Sequence, residues 1–342
     1  MKTILVTGGT GYIGAWVVKK LLEKGYTVRM TVRDKNQTHK YSYLESLAAS
    51  GNGKLEIFEA NLLKEGSFDE AAEGANAVIH VASPFTLRFK DAQKDLVDPA
   101  LLGTRNVLNA ATRSGTVKKV VLTSSVAAVF GDNIDMQAQG IAEFTEEHFN
   151  TSSSVTHQPY SFSKVIAEKE AWKLAETQTT WKLVVINPSF VLGPALNGSS
   201  DSESLNLMKD ILKGKFFFGA PELYFGFVDV RDVAHAHIVA LEKNDAQGRH
   251  ILAERTMSLL DLTDIMKKLY GKKYKLPMMK APKMLLMAIG GLFNVTPLFV
   301  KRNVGYPVRL DTTKSRKSLG LKYTSIEKTI KDMVEWMEEG RG

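Results

Sequence analysis

The segment YSFSK sets Tyr160 and Lys164 four residues apart, so on a helix the two share one face, one turn apart. An ammonium at that range favours phenolate over phenol and lowers the tyrosine pKa toward working pH. Such a tyrosine can pass a proton to a carbonyl oxygen as hydride reaches the carbon, and the lysine can also hydrogen-bond a nicotinamide ribose. A further polar group comes from VVLTSSVAAVFG, an apolar run that ends in hydroxyls. Ser124 or Ser125 can reach the reacting oxygen there. Ser125, the last hydroxyl before Val126, is the candidate. Tyr-x-x-x-Lys alone is an ordinary helix face, so its meaning depends on a nucleotide site earlier in the chain.

That site is TGGTGYIG, residues 7–14, directly behind the apolar run Ile4, Leu5, Val6. Gly8, Gly11 and Gly14 fall between a predicted strand and a predicted helix, where backbone N–H groups and a helix N-terminus can face a pyrophosphate. A Cβ at Gly8 or Gly11 would obstruct that approach. Thr7, Tyr12 and Ile13 complete the candidate dinucleotide segment. Asp34, 20 residues after Gly14, is placed to accept from an adenosine ribose as in NAD sites. Against it stand Arg33 and Lys40, two cations able to neutralise the 2′-phosphate of NADP. NADP is the favoured reading.

These groups need a scaffold that brings strand ends and helix starts together. TILVTG, TVRMTVR, KLEIFEA, AVIHVAS, KKVVLTSS and KLVVINPS read as strands, with helical stretches such as GTRNVLNAATRSG between them. Near-continuous Val/Ile/Leu strands alternating with helices indicate a parallel sheet covered on both faces, an α/β doubly wound Rossmann architecture. Past residue 193 the alternation breaks in GPALNGSSDSES, and LTDIMKKLYG and SIEKTIKDMVEWMEEG read as amphipathic helices. The expected division is a dinucleotide-binding domain over 1–193, with a returning segment near 226–243, and a mainly substrate-binding, interleaved lobe over 194–342.

At 342 residues with 44% apolar side chains, the chain can bury a full core. It has no cysteine, which excludes disulfides and thiolate chemistry and suits a reducing cytoplasm. MKTILVTGG lacks the regions of a signal peptide. The net charge of +8 is read as a solvated basic surface, with Lys and Arg interleaved with acids and no nucleic-acid motif. Met284–Phe293, the uninterrupted apolar part of residues 281–300, is about half the ~20 residues of a membrane span. It is expected to be a buried helix or a pocket cover. His80 reads as structural or cofactor-side. His235 and His237, two apart on a helix, point apart, and no metal site is expected. Phe85, Phe190, Tyr224, Phe225 and Phe227 could line an apolar substrate pocket or belong to the core.

Gly8/Gly11/Gly14, Ser125 and Tyr160/Lys164 stand in the order of the extended short-chain dehydrogenase/reductase superfamily. VIHVASPF, YSFSKVIAEKEAWKLA, INPSFVLGP and FVDVRDVAHAHIVALE resemble its dihydroflavonol 4-reductase and cinnamoyl-CoA reductase-like group over about residues 1–255. The resemblance implies NADPH-dependent reduction of an aldehyde or ketone, with Ser125 holding the carbonyl oxygen, Tyr160 donating the proton, and Lys164 tuning Tyr160 and anchoring the ribose. It implies Arg33 and Lys40 as 2′-phosphate ligands, Val81, Ala82 and Ser83 beside the cofactor, and Pro188 to Val191 flanking the nicotinamide. Asn61, followed by Leu62, stands where relatives carry an Asp that contacts adenine, and its amide carbonyl is expected to take that contact. Ala100 replaces an Asn common in sugar-nucleotide epimerases and argues against that branch, one of two rival enzymes with the same triad; the other is a hydroxysteroid dehydrogenase/isomerase. A non-catalytic NADP sensor is the rival outside enzymes, although such proteins tend to lose the Tyr or Lys retained here. The loop Asp132–Ser154 differs from that of the plant flavonoid enzymes, so no flavonoid substrate is implied. The expected partner is a small carbonyl substrate, with no nucleic acid and no stable membrane insertion, for a cytoplasmic monomer or homodimer.

Overall fold

The computed structural model describes residues 2–83, 89–196, 198, 202–293 and 295–341. Phe85 lies outside the described residues. Seven strands form one parallel sheet: β1 (Thr3–Thr7), β2 (Thr27–Val32), β3 (Lys54–Glu59), β4 (Ala77–His80), β5 (Lys119–Thr123) and β6 (Lys182–Pro188), with β9 (Gly248–Leu252) at the far edge. Their spatial order is β3-β2-β1-β4-β5-β6-β9. The chain winds outward from β1 to β3, then returns to lay β4 on the other side of β1, so the topological switch point lies between β1 and β4. Both faces are covered: Val6 and Ile79 pack with the helix side of Val17, Val18 and Leu21, while Leu5 and Val78 pack with Val107, Leu108 and Ala111. That double burial explains the unbroken apolar character of these strands.

Three short strands build a second sheet in the order β10-β8-β7: β7 (Phe190–Leu192), β8 (Tyr224–Asp229) and β10 (Arg255–Ser258). β7 pairs parallel with β8 through Phe190↔Phe227, and β8 pairs antiparallel with β10. The chain therefore crosses between the sheets several times. After β8 the helix Val230–Glu242 returns to pack against the first helix, Tyr12–Glu23, on the large sheet, and β9 then joins β6. The architecture is an α/β doubly wound Rossmann sheet with a smaller, interleaved C-terminal lobe. The lobe is closed by the helices Leu259–Tyr270, which opens with a Ser258/Asp261 capping box, and Ile326–Trp336. Two hydrogen bonds fasten the first helix to it, from Tyr12 Oη to Gly193 O at 2.6 Å and from Trp16 Nε1 to Pro194 O at 2.9 Å.

The apolar segment near 284–300 corrects the expectation of a buried helix. Its helix, Lys283–Ile289, is seven residues long and leaves Met284 75% and Leu285 49% exposed. It packs on the short turn Gly290–Phe293 that follows it and on the helix Pro297–Asn303. No helix among the described residues is long and apolar enough to cross a membrane.

Candidate active site

Parallel winding brings the carboxyl ends of β1, β2, β4, β5 and β6 to one edge, where Thr7, Arg33, Val81, Ser125 and Pro188 stand or immediately follow. At β1 the loop turns through Gly8 at φ +70°, and the helix opens at Gly11 with no side-chain cap and no acid in its first turn. Its first-turn N–H groups have no intrahelical acceptor and form the positive end of the helix dipole. The three glycines serve different needs. A Cβ on Gly8 would lie 2.7 Å from the Ala82 backbone, and one on Gly14 would lie 2.1 Å from Gly8 O. A Cβ on Gly11 would meet only Gly8 O, at 3.3 Å. Gly8 and Gly14 are thus required by the protein's own packing, while a Cβ on Gly11 has room apart from one close backbone oxygen.

The side chains of Thr7 and Tyr12 are turned inward. Thr7 Oγ1 lies 2.6 Å from His80 Nδ1 and accepts from Ala82 N–H at 3.2 Å, which locks the end of β1 to the end of β4. Burial holds His80 neutral, at about 3, with the Lys164 charge adding to the effect. The Tyr12 hydroxyl is spent on Gly193, so only its backbone remains for a dinucleotide. Ile13 is half-buried between the two lobes.

Beyond β2, Arg33 is exposed and Lys40 half-buried, and neither side chain has a hydrogen-bond or ion-pair partner among the described residues. Asp34 is engaged by its own loop: its carboxylate accepts from Asn36 N–H at 2.9 Å and Gln37 Nε2 at 3.2 Å. Those hydrogen bonds, the Asn36 backbone first, hold its pKa below the usual range. Two cations beside a carboxylate already engaged by its own loop fit a 2′-phosphate better than a ribose diol. Asn61 Oδ1 accepts from Leu63 N–H at 2.9 Å, so the carbonyl expected to meet adenine is already engaged once. Leu62 packs over Gly103, and its carbonyl accepts from Asn106.

Tyr160 and Lys164 lie on the first two turns of the helix Pro159–Glu176. The Ser125 side chain lies near enough to the Tyr160 hydroxyl to act on its ionisation, and Ser125 Oγ accepts from Ala127 N–H at 3.1 Å. Ser124 instead donates to buried Glu168 at 2.5 Å, so the two serines point into different surroundings. Lys164 Nζ lies 5.7 Å from the Tyr160 ring centroid and donates to Ser83 Oγ at 2.9 Å. The expected depression of the tyrosine pKa is absent from this arrangement. Burial pushes Tyr160 up to about 12, with the Ser125 side chain opposing. Lys164 is pulled down to about 8, again by burial, against the Glu168 charge.

Glu168, one turn beyond Lys164, was not anticipated. Its carboxylate accepts from Ser124, Asn187 Nδ2 at 2.8 Å and Arg249 Nε at 2.5 Å. Asn187 also donates to Ser125 O at 3.2 Å, and Arg249 holds the carbonyls of Glu146 and His148. A second buried carboxylate, Asp132, lies at the helix entrance. It accepts from His157 at 2.9 Å, Gln158 Nε2 at 2.6 Å and Asn303 Nδ2 at 2.7 Å, and pairs with Arg302. Burial would raise its pKa, but these hydrogen bonds, Arg302 first, hold it below the ordinary value. Gln158 is the non-glycine residue in the left-handed region, at φ +53°, just before Tyr160. Glu168 was visible as the i+4 neighbour of Lys164, but Arg249, Arg302 and Asn303 had no local signal.

Val81, Ala82 and Ser83 lead away from β4, and Pro188 and Val191 flank the turn from β6 into β7, on the same edge. Phe190 and Phe225, both half-buried, pack at 5.4 Å against the small lobe's core beside fully buried Phe227, and the Tyr224 hydroxyl reaches Glu222 at 3.4 Å. His237 is buried, bridging Val233 O and Thr123 Oγ1, and among the described residues no group of three possible metal ligands exists.

A glycine cradle at the switch point, with a Ser, Tyr and Lys converging on the same edge, defines a nicotinamide-dependent short-chain dehydrogenase/reductase of the extended type. Residues 4–253 match the NAD dependent epimerase/dehydratase family, and the chain belongs to it. It is 37% identical over 339 residues to cinnamoyl-CoA reductase CAD2 of Medicago truncatula, covering 98% of this chain and 95% of that one. Gre2 from Candida albicans, solved in complex with NADPH, is 33% identical with a TM-score of 0.80 over 100% of both chains. Yeast methylglyoxal/isovaleraldehyde reductase Gre2, also solved with NADPH, is 28% identical with a TM-score of 0.80 over 99% of this chain and 100% of that one. The chain is an oxidoreductase of carbonyl and CH–OH groups.

Proposed function

We propose that this enzyme reduces an aldehyde or ketone to the alcohol with NADPH, using Tyr160 as the proton donor. The observation that carries the reading is the placing of Ser125 beside Tyr160, with Lys164 one turn on, at the edge shared by the uncapped Gly11 helix start and the cations Arg33 and Lys40. The first-turn N–H groups of the helix Tyr12–Glu23 hold the pyrophosphate, and Arg33 and Lys40 hold the 2′-phosphate. Asn61 and Leu62 border the adenine. Val81 to Ser83 and Pro188 to Val191 border the nicotinamide half. When bound, the nicotinamide supplies the two electrons and the hydrogen that reach the carbonyl carbon.

The remaining chemistry belongs to the chain. Ser125 and Tyr160 hydroxyls grip the carbonyl oxygen, and the charge that grows on it is quenched by the Tyr160 proton. With its pKa raised, Tyr160 is fully protonated at neutral pH, the form that reduction needs. Lys164, still largely an ammonium below pH 8, stabilises the phenolate left behind. The small lobe excludes water and offers Phe190 and Phe225 to an apolar substituent. In this reading residues 1–193, with the returning helix, bind the coenzyme, and the rest mainly shapes the substrate site of a cytoplasmic monomer or homodimer. A panel of aliphatic and aryl aldehydes, diketones and ketoesters, followed by NADPH absorbance, tests it; no turnover with any member would overturn it.

A further inference from the structure

Apart from the active site, one face of the small lobe has an unusual make-up. The protein carries 45 basic and 37 acidic side chains, yet between Asp264 and Asp311 there are ten Lys and Arg and no Asp or Glu. That single stretch holds all of the excess positive charge, and the scatter of acids and bases seen elsewhere fails there. The same stretch exposes large apolar side chains: Met278 at 68%, Met279 at 60%, Met284 at 75% and Leu298 at 48%.

The fold makes these side chains neighbours. Residues 278–281 run beside 217–220, with Met278 N–H on Phe217 O at 3.1 Å and Ala220 N–H on Met279 O at 3.1 Å. Phe218, 89% exposed, is thereby set next to the two methionines. The helix Lys283–Ile289 follows directly and packs on the helix Pro297–Asn303, joined to it by Lys283 Nζ on Lys301 O at 3.1 Å. Acids from other elements pair with only part of the charge: Asp264 with Lys267, Glu338 with Lys273, Glu222 with Lys280, and Asp132 and Asp135 with Arg302. Lys268, Lys272, Lys275 and Lys301 are exposed with no ion pair among the described residues.

We propose that this face docks the enzyme peripherally on an anionic phospholipid surface. Met278, Met279, Met284, Leu285, Leu298 and Phe218 enter the headgroup–acyl boundary while the surrounding lysines bind lipid phosphates and carboxylates. Exposed methionine and leucine beside basic side chains that outnumber the acids paired with them match both layers of a bilayer surface. A nucleic acid would leave the aliphatic side chains unused, and an acidic protein would need its own apolar complement. Long lysine stems can cover apolar surface while their charges stay with the headgroups. The seven-residue helix is too short to cross the bilayer, so the attachment is one-sided and reversible.

The test is flotation of the full-length enzyme with vesicles of phosphatidylcholine alone or with about a third phosphatidylserine, a composition of strongly negative surface potential. The enzyme is expected to float with the anionic vesicles, and to be released as salt rises from 0.1 to 1 M and the screening length falls to about 3 Å. Replacing Lys272, Lys275 or Lys301 by Gln is expected to lower the partition about fivefold each, from about one unit of lysine–membrane attraction. Met284→Ser with Leu285→Ser is expected to weaken binding that salt has not already removed. Carbonyl reduction in solution stays unchanged in all of these variants, which separates this proposal from the catalytic one and confirms that the variants fold. Equal partition into both vesicle types, or partition indifferent to the lysine substitutions, would overturn the proposal. So would a dimer that light scattering shows dissolving in the Met284→Ser/Leu285→Ser variant, because a second copy would then be the occupant.

Discussion

Lys164 Nζ donates to Ser83 Oγ at 2.9 Å, and so joins the helix Pro159–Glu176 to the loop that leaves β4. The ammonium thus lies beside the switch point, 5.7 Å from the Tyr160 ring centroid. In this state the phenol keeps its proton, and the lysine acts once charge appears on the phenol oxygen. The following expectations come from that geometry and from the cradle beside it.

Tyr160→Phe removes the proposed proton donor but leaves Ser125, Lys164 and the glycine loop in place. We expect kcat to fall about 10²–10⁴-fold, the range of a single general acid, with NADPH affinity retained. Steady-state kinetics and coenzyme titration check this together; unimpaired turnover would remove Tyr160 from the mechanism.

The Lys164 ammonium, at about 8, is present below that pH and lost above it. kcat/KM for reduction should therefore fall as pH rises through about 8. Stability moves the other way. The ordinary lysine value of 10.5 lies above the folded one, so between the two the unfolded chain binds more protons, and this group's contribution to stability increases with pH. A pH–rate profile flat to pH 10 would contradict the assignment.

Arg33→Ala deletes an unpaired guanidinium at the end of β2. A charge-assisted hydrogen bond to phosphate is worth about 1.5–3 kcal/mol, so KM for NADPH should rise about ten- to a hundredfold with KM for NADH nearly constant. An unaltered ratio of NADPH to NADH efficiency would dismiss the contact.

Gly11→Ala and Gly14→Ala separate ligand contact from packing. The first adds a methyl that the protein tolerates, at 3.3 Å from Gly8 O, so coenzyme binding should suffer while the urea midpoint holds. The second forces a Cβ to 2.1 Å from the same oxygen and should destabilise by about 1–3 kcal/mol, as overpacking does. Equal loss of stability in both would refute the distinction.

Glu168→Gln leaves Arg249, 5% exposed, without its counter-charge. Breaking such a pair costs about 3–5 kcal/mol, measured by chemical denaturation. The pH at which activity falls should also drop, because Glu168 supports the Lys164 charge.

The motifs legible in the sequence were those whose spacing is local. Gly8/Gly11/Gly14 and Tyr160/Lys164 depend only on a tight turn and on helix periodicity, and the strand ends that bring them together follow from double-sided apolar runs. The Tyr160 pKa was misread because burial is set by the whole fold, whereas the lysine's charge is visible as a neighbour. Asp132 and Arg302 lie 170 residues apart, and no periodicity links them. The exposure of Met284 and Leu285 escaped the sequence for a related reason: apolar composition says that a side chain avoids water, not what covers it.

The Asp132 cluster makes the two ends of the chain interdependent. A protein shortened before Arg302 and Asn303 would retain every strand of the large sheet, yet leave a carboxylate stranded beside the left-handed turn at Gln158. Chimeras that graft a foreign C-terminal lobe onto the large-sheet half must therefore carry over the Arg–Asn pair, or the helix Pro159–Glu176 loses the anchor at its entrance before any substrate arrives.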